Sequence, residues 1–226
     1  MFEKKPQSMI DKIKLLAQQS LQRSDPSWWF DVLYQEAKDD FTQIPWAKMK
    51  PHPYFQDWLD NLAQINRNHS ALVIGCGLGD DAEALANVGF SNVTAFDISP
   101  HAINWCKQRF PQSSVNYVVA DLFQIDSSWQ HKFDLVYECR NIQALPLSVR
   151  SEVISSIANL VAQDGILLVI NRLRDTDEEP QGPPWALSLQ EFNSFTQFGL
   201  QEKNLTTFFE GDNQEVTTVR VEYHNG

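Results

Sequence analysis

Cysteine is scarce: Cys76, Cys106 and Cys139 are the only three in 226 residues. They are too few and too irregularly spaced for a disulfide framework or a zinc cage, and the odd count fits a reducing compartment. Each is expected to be a buried or half-buried free thiol. Long hydrophobic runs are also missing. No stretch approaches the roughly 18 apolar residues that span a bilayer, and the N-terminal MFEKKPQSMI lacks the hydrophobic core of a signal peptide. The expectation is a cytoplasmic chain with no membrane partner. Positive charge is short as well, with 18 Lys and Arg against 29 Asp and Glu and a net charge of −11. Residues 1–70 carry nine side chains of each sign, so residues 71–226 hold nine basic against twenty acidic. Nucleic-acid binding needs a basic stripe to displace counterions, and this body repels phosphate. The five histidines, His52, His69, His101, His131 and His224, show no ligand spacing, and no metal is expected. Internal repeats and low-complexity tracts are absent.

What remains is the composition of an ordinary globular protein, 42% hydrophobic and 12% aromatic. At this length folding buries roughly 70% of the unfolded surface, so a large core forms without staples. Residues 9–22 place Ile10, Ile13, Leu16, Ala17 and Leu21 at steps of three or four, which predicts an amphipathic helix. The segment after it holds Trp28, Trp29, Trp46 and Trp58, four of the seven tryptophans. Pro45, Pro51 and Pro53 break its middle into loop, and a further helix is expected near 53–65. Each tryptophan alone reads equally well as core filling. Their density in a proline-interrupted stretch suggests a lid with aromatic walls.

From residue 71 short apolar runs alternate with helical stretches. Strands are expected at 71–75, 93–97, 115–121, 133–138 and 165–172, with helices at 80–88, 99–110, about 147–162 and 188–197. Ser99 is positioned to cap the first turn of the second of these helices, 99–110. Strands near 203–210 and 215–223, joined by Gly211, Asp212 and Asn213, read as an antiparallel hairpin. Such alternation, with strands apolar on both faces, predicts an α/β protein built on a doubly wound, mostly parallel sheet of seven strands. All 226 residues are expected to form one domain, with 1–66 as a helical, aromatic lid segment and 67–226 as the sheet and its site loops.

In such a sheet the ligand lies beyond the carboxyl ends of the strands, at the topological switch point. The first strand runs into Gly75-Cys76-Gly77-Leu78-Gly79-Asp80-Asp81, where Gly75, Gly77 and Gly79 allow close backbone approach. A dinucleotide fingerprint would have Gly or Ala where Asp80 stands, and Asp80 and Asp81 would repel a pyrophosphate at the helix start. The same carboxylates suit a ligand with an amino group. Asp97 ends the second strand 22 residues past Gly75, the distance at which an acidic side chain reaches ribose hydroxyls. Asp121 ends the third, able to accept from an adenine amino group beside the apolar Leu122 and Phe123. Taken alone, Asp121 reads equally as a cap for the following turn. Glu138 ends the fourth.

ALVIGCGLG, VTAFDIS, VVADLF and FDLVYE, in that order over 71–172, resemble the consecutive cofactor motifs of class I S-adenosylmethionine-dependent methyltransferases. Trp29-Phe30-Asp31 with Tyr34, Ile44-Pro45-Trp46, and Gly182-Pro183-Pro184-Trp185 are similar to the thiopurine, thiol and halide methyltransferase group within that class. The resemblance implies a Rossmann-like fold and S-adenosylmethionine as cofactor, with S-adenosylhomocysteine as product. It adds Ile98, next to Asp97, and Trp29 and Trp46, from a lid that folds over the cofactor, to the candidate contacts Gly75, Gly77, Gly79, Asp81, Asp97, Asp121, Leu122 and Glu138. The chain departs from the class pattern at Val73, where an acidic residue often stands, and Asp81 is assigned the cofactor's amino group instead.

The implied reaction is in-line displacement at a sulfonium methyl, for which the protein mainly positions the nucleophile and excludes water. A thiol or similarly soft acceptor needs no general base, whereas an alcohol or amine usually does. Arg140 is the candidate for positioning a small-molecule acceptor, by favouring a thiolate or holding a carboxylate, with Glu138 beside it. Pairing of Arg140 with Glu138 or with the acidic loop of Asp175, Asp177, Glu178 and Glu179 is the equal alternative. An O- or N-methyltransferase, a non-catalytic cofactor-binding module and, less favoured, an NAD-dependent oxidoreductase are the rival functions. The oligomeric state is not legible.

Overall fold

The structure, a computed structural model, describes residues 8–23, 25–62, 68–176 and 178–226. Its centre is a seven-stranded sheet: β1 (Ser70–Ile74), β2 (Asn92–Asp97), β3 (Asn116–Val119), β4 (Phe133–Cys139), β5 (Val161–Arg172), β6 (Leu200–Glu210) and β7 (Val216–Asn225). The spatial order is β3-β2-β1-β4-β5-β7-β6. The first five strands are parallel, and β7 inserts antiparallel between β5 and β6. The order reverses between β1 and β4, so the ends of these two strands flank the switch point where a ligand is held.

Both faces of the sheet are covered because the strands are apolar on both. In β1, Leu72 and Ile74 face one helical layer while Ala71 and Val73 face the other, the period of two inherent to a strand. The first layer is α6 (Arg150–Ala158) and α7 (Leu189–Asn193); the second is α3 (Pro53–Asp60), α4 (Asp80–Asn87) and α5 (Pro100–Arg109). Ser99 caps α5 by accepting from the Ala102 N–H at 3.0 Å, as its position before the apolar run implies. Two further helices, α1 (Met9–Gln22) and α2 (Trp28–Ala37), form a third cluster in which Leu16, Trp29, Leu33, Tyr34 and Ile44 meet Leu78, Ala102 and Trp105. The N-terminal segment therefore rests on α5 and on the loop leaving β1.

The departures from expectation are local. The helix expected at 147–162 becomes a 3₁₀ turn, Leu147–Val149, and α6; residues 161–162 belong to β5, which pairs Val161 with Phe133 before a register shift. The helix expected at 188–197 opens on a capping box of Ser188 and Glu191 but tightens to 3₁₀ geometry over Ser194–Phe198. The helix near 53–65 ends at Asp60, and residues 63–65 lie outside the described residues. Among the described residues no helix is long and apolar enough to cross a membrane, and no cluster of His, Cys, Asp and Glu could hold a metal ion. The three cysteines are free, Cys106 buried and the others half-buried.

Leu168 in β5 is fully buried at 0% exposure, whereas Leu205 in the edge strand β6 is 37% exposed. Urea unfolding should show Leu168→Ala losing about 2–5 kcal/mol of stability and Leu205→Ala less than about 0.5 kcal/mol.

Candidate cofactor and acceptor site

The carboxyl edge of β1 turns at Gly75 (φ 56°) and Gly77 (φ 55°), in the left-handed region that disfavours a side chain. Space forbids one too. A Cβ at Gly75 would lie 1.9 Å from Asn141 Oδ1, and one at Gly77 would lie 3.2 Å from Tyr34 Oη. Asp97 holds this turn: Oδ2 accepts from the Gly77 N–H at 3.0 Å and Oδ1 from the Ser99 N–H at 2.9 Å. Burial pushes its carboxyl up to about 6, against the opposing pull of those hydrogen bonds. The acidic tip of the second strand thus also ties the first strand's loop to the second's.

Beside Asp97 opens a cleft of about 550 Å³ lined by Asp25, Ser27, Trp28, Asp31, Ile98, Pro100, Asp121 and Phe123 among others, a volume within the usual range for small-molecule sites. Ile98 and Asp121 line the same cleft. Leu122 does not line it: this side chain is half-buried and packs on the core, and Phe123 supplies the apolar surface instead. Asp121 Oδ1 accepts from the Phe123 N–H and Oδ2 from Gln124 Nε2, both at 2.9 Å, leaving the carboxylate in the cleft with lone pairs to spare.

The aromatic residues of the N-terminal segment meet the glycine loop. Trp46 Nε1 donates to Tyr34 Oη at 2.7 Å, and the Trp46 ring stands edge-on to Trp29 and Phe30 with centroids 6.0 and 6.1 Å away. Trp29 is buried at 2% exposure and Trp46 is 38% exposed. Asp31 in α2 accepts from Ser99 Oγ at 2.5 Å, which fastens the lid to the residue that caps α5. Trp185, from the Gly-Pro-Pro-Trp segment, packs against the same aromatic cluster.

The two acids at the start of α4 are committed to the fold, contrary to the expectation that they stand open to a cationic ligand. Arg109 grips Asp80 with two hydrogen bonds of 2.9 and 2.8 Å. Asp81 accepts from the His52 N–H at 2.7 Å and from Tyr137 Oη at 3.1 Å, which anchors the entry to α3. Burial raises the Asp81 carboxyl to about 6.

Near the end of β4, Glu138 is wholly buried. One oxygen accepts from the N–H groups of Asn141 and Ile142 at 2.5 and 3.1 Å and the other from Asn171 Nδ2 at 2.5 Å. Burial lifts its carboxyl to about 7. These bonds shape the turn in which Arg140 adopts a φ of 64°, rare for a residue with a side chain, and Asn141 folds back onto Gly75. Arg140 pairs neither with Glu138 nor with the described part of the acidic loop; Asp177 lies outside the described residues. Its partner is Glu210, 2.5 Å away at the end of β6. Around this pair stand His52, Tyr54 and Arg172, none of which sequence reasoning singled out as functional. The sequence carried no signal for them beyond the place of Arg172 at a strand end.

Gly75→Ala should cost about 1–3 kcal/mol of stability through strain and the clash with Asn141. Adding Asn141→Ala should recover part of that loss, because it removes the clash and leaves the strained φ. A urea-unfolding double-mutant cycle measures both, and strict additivity would show that the two positions do not press on each other.

The same sheet recurs in solved structures, among them the N-methyltransferase NodS from Bradyrhizobium japonicum in complex with S-adenosyl-L-homocysteine: TM-score 0.65, 21% identity, 85% of this chain and 98% of that one. A protein from work on conversion of a disulfide bond into a thioacetal group during echinomycin biosynthesis aligns with TM-score 0.69, 17% identity, and 88% and 91% coverage. At these identities the likeness concerns the fold. In sequence, the chain is 28% identical over 154 residues to "Probable thiol methyltransferase 2" of Arabidopsis thaliana, covering 66% of this chain and 64% of that one. It is 30% identical over 118 residues to carboxy-S-adenosyl-L-methionine synthase of Psychrobacter sp. (strain PRwf-1), covering 47% and 41%. The chain thus spans less than two thirds of the length of either curated relative. Residues 36–222 match thiopurine S-methyltransferase (TPMT), and the chain accordingly belongs to the thiopurine S-methyltransferase family of S-adenosylmethionine-dependent methyltransferases.

Proposed function

We propose that the protein transfers the methyl group of S-adenosylmethionine to a small-molecule acceptor with a soft nucleophile, in the first instance a thiol. The observation that carries this reading is the Asp97 carboxylate. It is fixed by the glycine loop on one side and borders, through Ile98, a cleft of nucleoside size on the other. Asp97 accepts from the ribose hydroxyls, Ile98 and Phe123 flank the adenine, and Asp121 accepts from its amino group. The amino-acid portion lies along Gly75 to Gly79 beneath Trp29 and Trp46. When bound, S-adenosylmethionine supplies an electrophilic sulfonium methyl open to in-line displacement.

What the chain contributes is position and dryness. Residues 1–66 act as the lid; its aromatic cluster over Gly77 excludes water from the reacting centre. Arg140, the residue that follows β4, holds the acceptor on the far side of the glycine loop. Asp81 and Glu138 have the proton affinities of general bases, about 6 and about 7. Both are nonetheless occupied by N–H and O–H donors of the fold. That arrangement supports an acceptor that needs no base, as a thiol does on ionising in water. Glu138 is then a positioning residue for the Arg140 turn, and Asp81 one for the glycine loop and α3.

Calorimetric titration with S-adenosylhomocysteine tests the cofactor assignment. Asp97→Ala should weaken binding about tenfold to a hundredfold, the worth of a hydrogen bond to a charged acceptor. The affinity of the unmodified protein should also depend on pH in a definite direction. The free Asp97 carboxyl takes up its proton near 6, and hydroxyl donors favour the ionised form, so binding releases a proton below that value and affinity falls as pH drops through it. Unchanged affinity in a folded Asp97→Ala protein would remove Asp97 from the cofactor site.

A further inference from the structure

Among the described residues every buried or half-buried guanidinium near the sheet has a carboxylate partner except one. Among the described residues Arg109 pairs with Asp80, Arg140 with Glu210, Arg150 and Arg174 with Glu191, and Arg220 with Asp57. Arg172, half-buried at the carboxyl end of β5, has no carboxylate within ion-pair distance among the described residues, and its Nε is buried without a hydrogen-bond partner among them. Burial and the neighbouring Arg140 both lower its proton affinity, and Glu210 only partly offsets them. Arg140 Nε and His52 Nδ1 are likewise buried and unpartnered. His52 adds no charge, since burial and Arg140 hold its imidazole down at about 4. Glu210 is engaged by Arg140 and by the Tyr54 hydroxyl. The cluster thus sets two guanidinium groups against one carboxylate, in a chain whose net charge is −11.

Its place gives the surplus charge a meaning. Asn141, next to Arg140, touches Gly75, and His52 binds Asp81 at the start of α4, so the cluster abuts the glycine loop from the β4 and β5 side. The nucleoside-sized cleft opens on the opposite, β2 and β3 side. The cluster and the cleft thus lie on opposite sides of the glycine loop.

We propose that Arg172, together with Arg140, forms an anion subsite that selects acceptors carrying a carboxylate or similar anionic group. Arg172 is the residue that determines this preference, and Glu210 is the internal carboxylate that holds Arg140 oriented when no acceptor is present. A planar guanidinium matches a carboxylate with two parallel hydrogen bonds, and the orphaned N–H groups here are the donors such a ligand would satisfy. The inference rests on the proposed methyl transfer only for the identity of the reacting group; the anion subsite stands or falls by binding.

The test uses 4-mercaptobenzoate and 4-methylbenzenethiol, of similar shape and opposite in charge character, with 4-methylbenzoate as an anion that has no thiol. In Arg172→Gln the ratio of kcat/KM for the charged over the neutral thiol should fall about tenfold to a hundredfold, and Arg172→Lys should restore part of it. Comparing variants by this ratio cancels the intrinsic reactivity of each thiol. In parallel, calorimetry on the S-adenosylhomocysteine complex should show 4-methylbenzoate binding that weakens to the same extent in Arg172→Gln, with melting curves confirming that the variant is folded. If neither thiol is methylated yet the benzoate binds through Arg172, the thiol reading fails and the subsite stands. If both thiols are methylated with a ratio that Arg172→Gln leaves unchanged, or if the benzoate does not bind, the subsite is overturned.

Discussion

The bond from the Gly77 N–H to the Asp97 carboxylate, 3.0 Å long and buried, ties the ends of β1 and β2 together beside the switch point between β1 and β4. Around it the chain has no room for alternatives. Gly75 must be left-handed and side-chain-free because Asn141 lies where a Cβ would be, and Gly77 must be bare because Tyr34 of the lid rests against it. Three distant parts of the sequence, the lid, the β1 loop and the turn after β4, thereby converge on a few atoms. The cleft beside Ile98 and the cationic cluster around Arg140 lie on either side of that point.

Electrostatics follow the same geometry. Asp97 and Glu138 are ionisable groups placed where burial opposes their charge, with proton affinities raised to about 6 and about 7. Because their folded-state values lie above those of the unfolded chain, each favours the fold most in acid and contributes less as pH rises through those values. Backbone N–H groups offset the cost for both. For Glu138 the bonds are wholly internal and serve the turn that carries Arg140. For Asp97 they tie the loop after β1 to the start of α5, next to Ile98, which lines the cleft.

Much of this was legible in the sequence, for reasons that are local. Strand-length apolar runs that end in Gly75, Asp97, Asp121 and Glu138 announce both the sheet and the edge at which its chemistry sits, since a strand's end is fixed by the residues next to it. Ser99 as a helix cap and Gly211 to Asn213 as a hairpin turn are legible for the same reason. The partners were not. Arg140 finds Glu210 seventy residues away only because β6 folds back beyond β7. Asp81 finds the His52 N–H, and Asp80 finds Arg109, through the packing of α3 and α5 on α4. Leu122 and Phe123, expected alike beside the ring, part ways because they are successive residues of a 3₁₀ turn: both pack on the core, and only Phe123 also reaches the cleft. Charge on a sequence shows which groups exist, and tertiary structure decides which of them neutralise one another.

The most direct measurement of the central claim is a crystal structure of the protein with S-adenosylhomocysteine. The account predicts the ribose hydroxyls on Asp97, the adenine between Ile98 and Phe123 near Asp121, and the homocysteine sulfur over the glycine loop facing Arg140 and Arg172, with Trp29 and Trp46 above it. A nucleoside bound elsewhere, or bound with its sulfur turned away from the arginines, would contradict it.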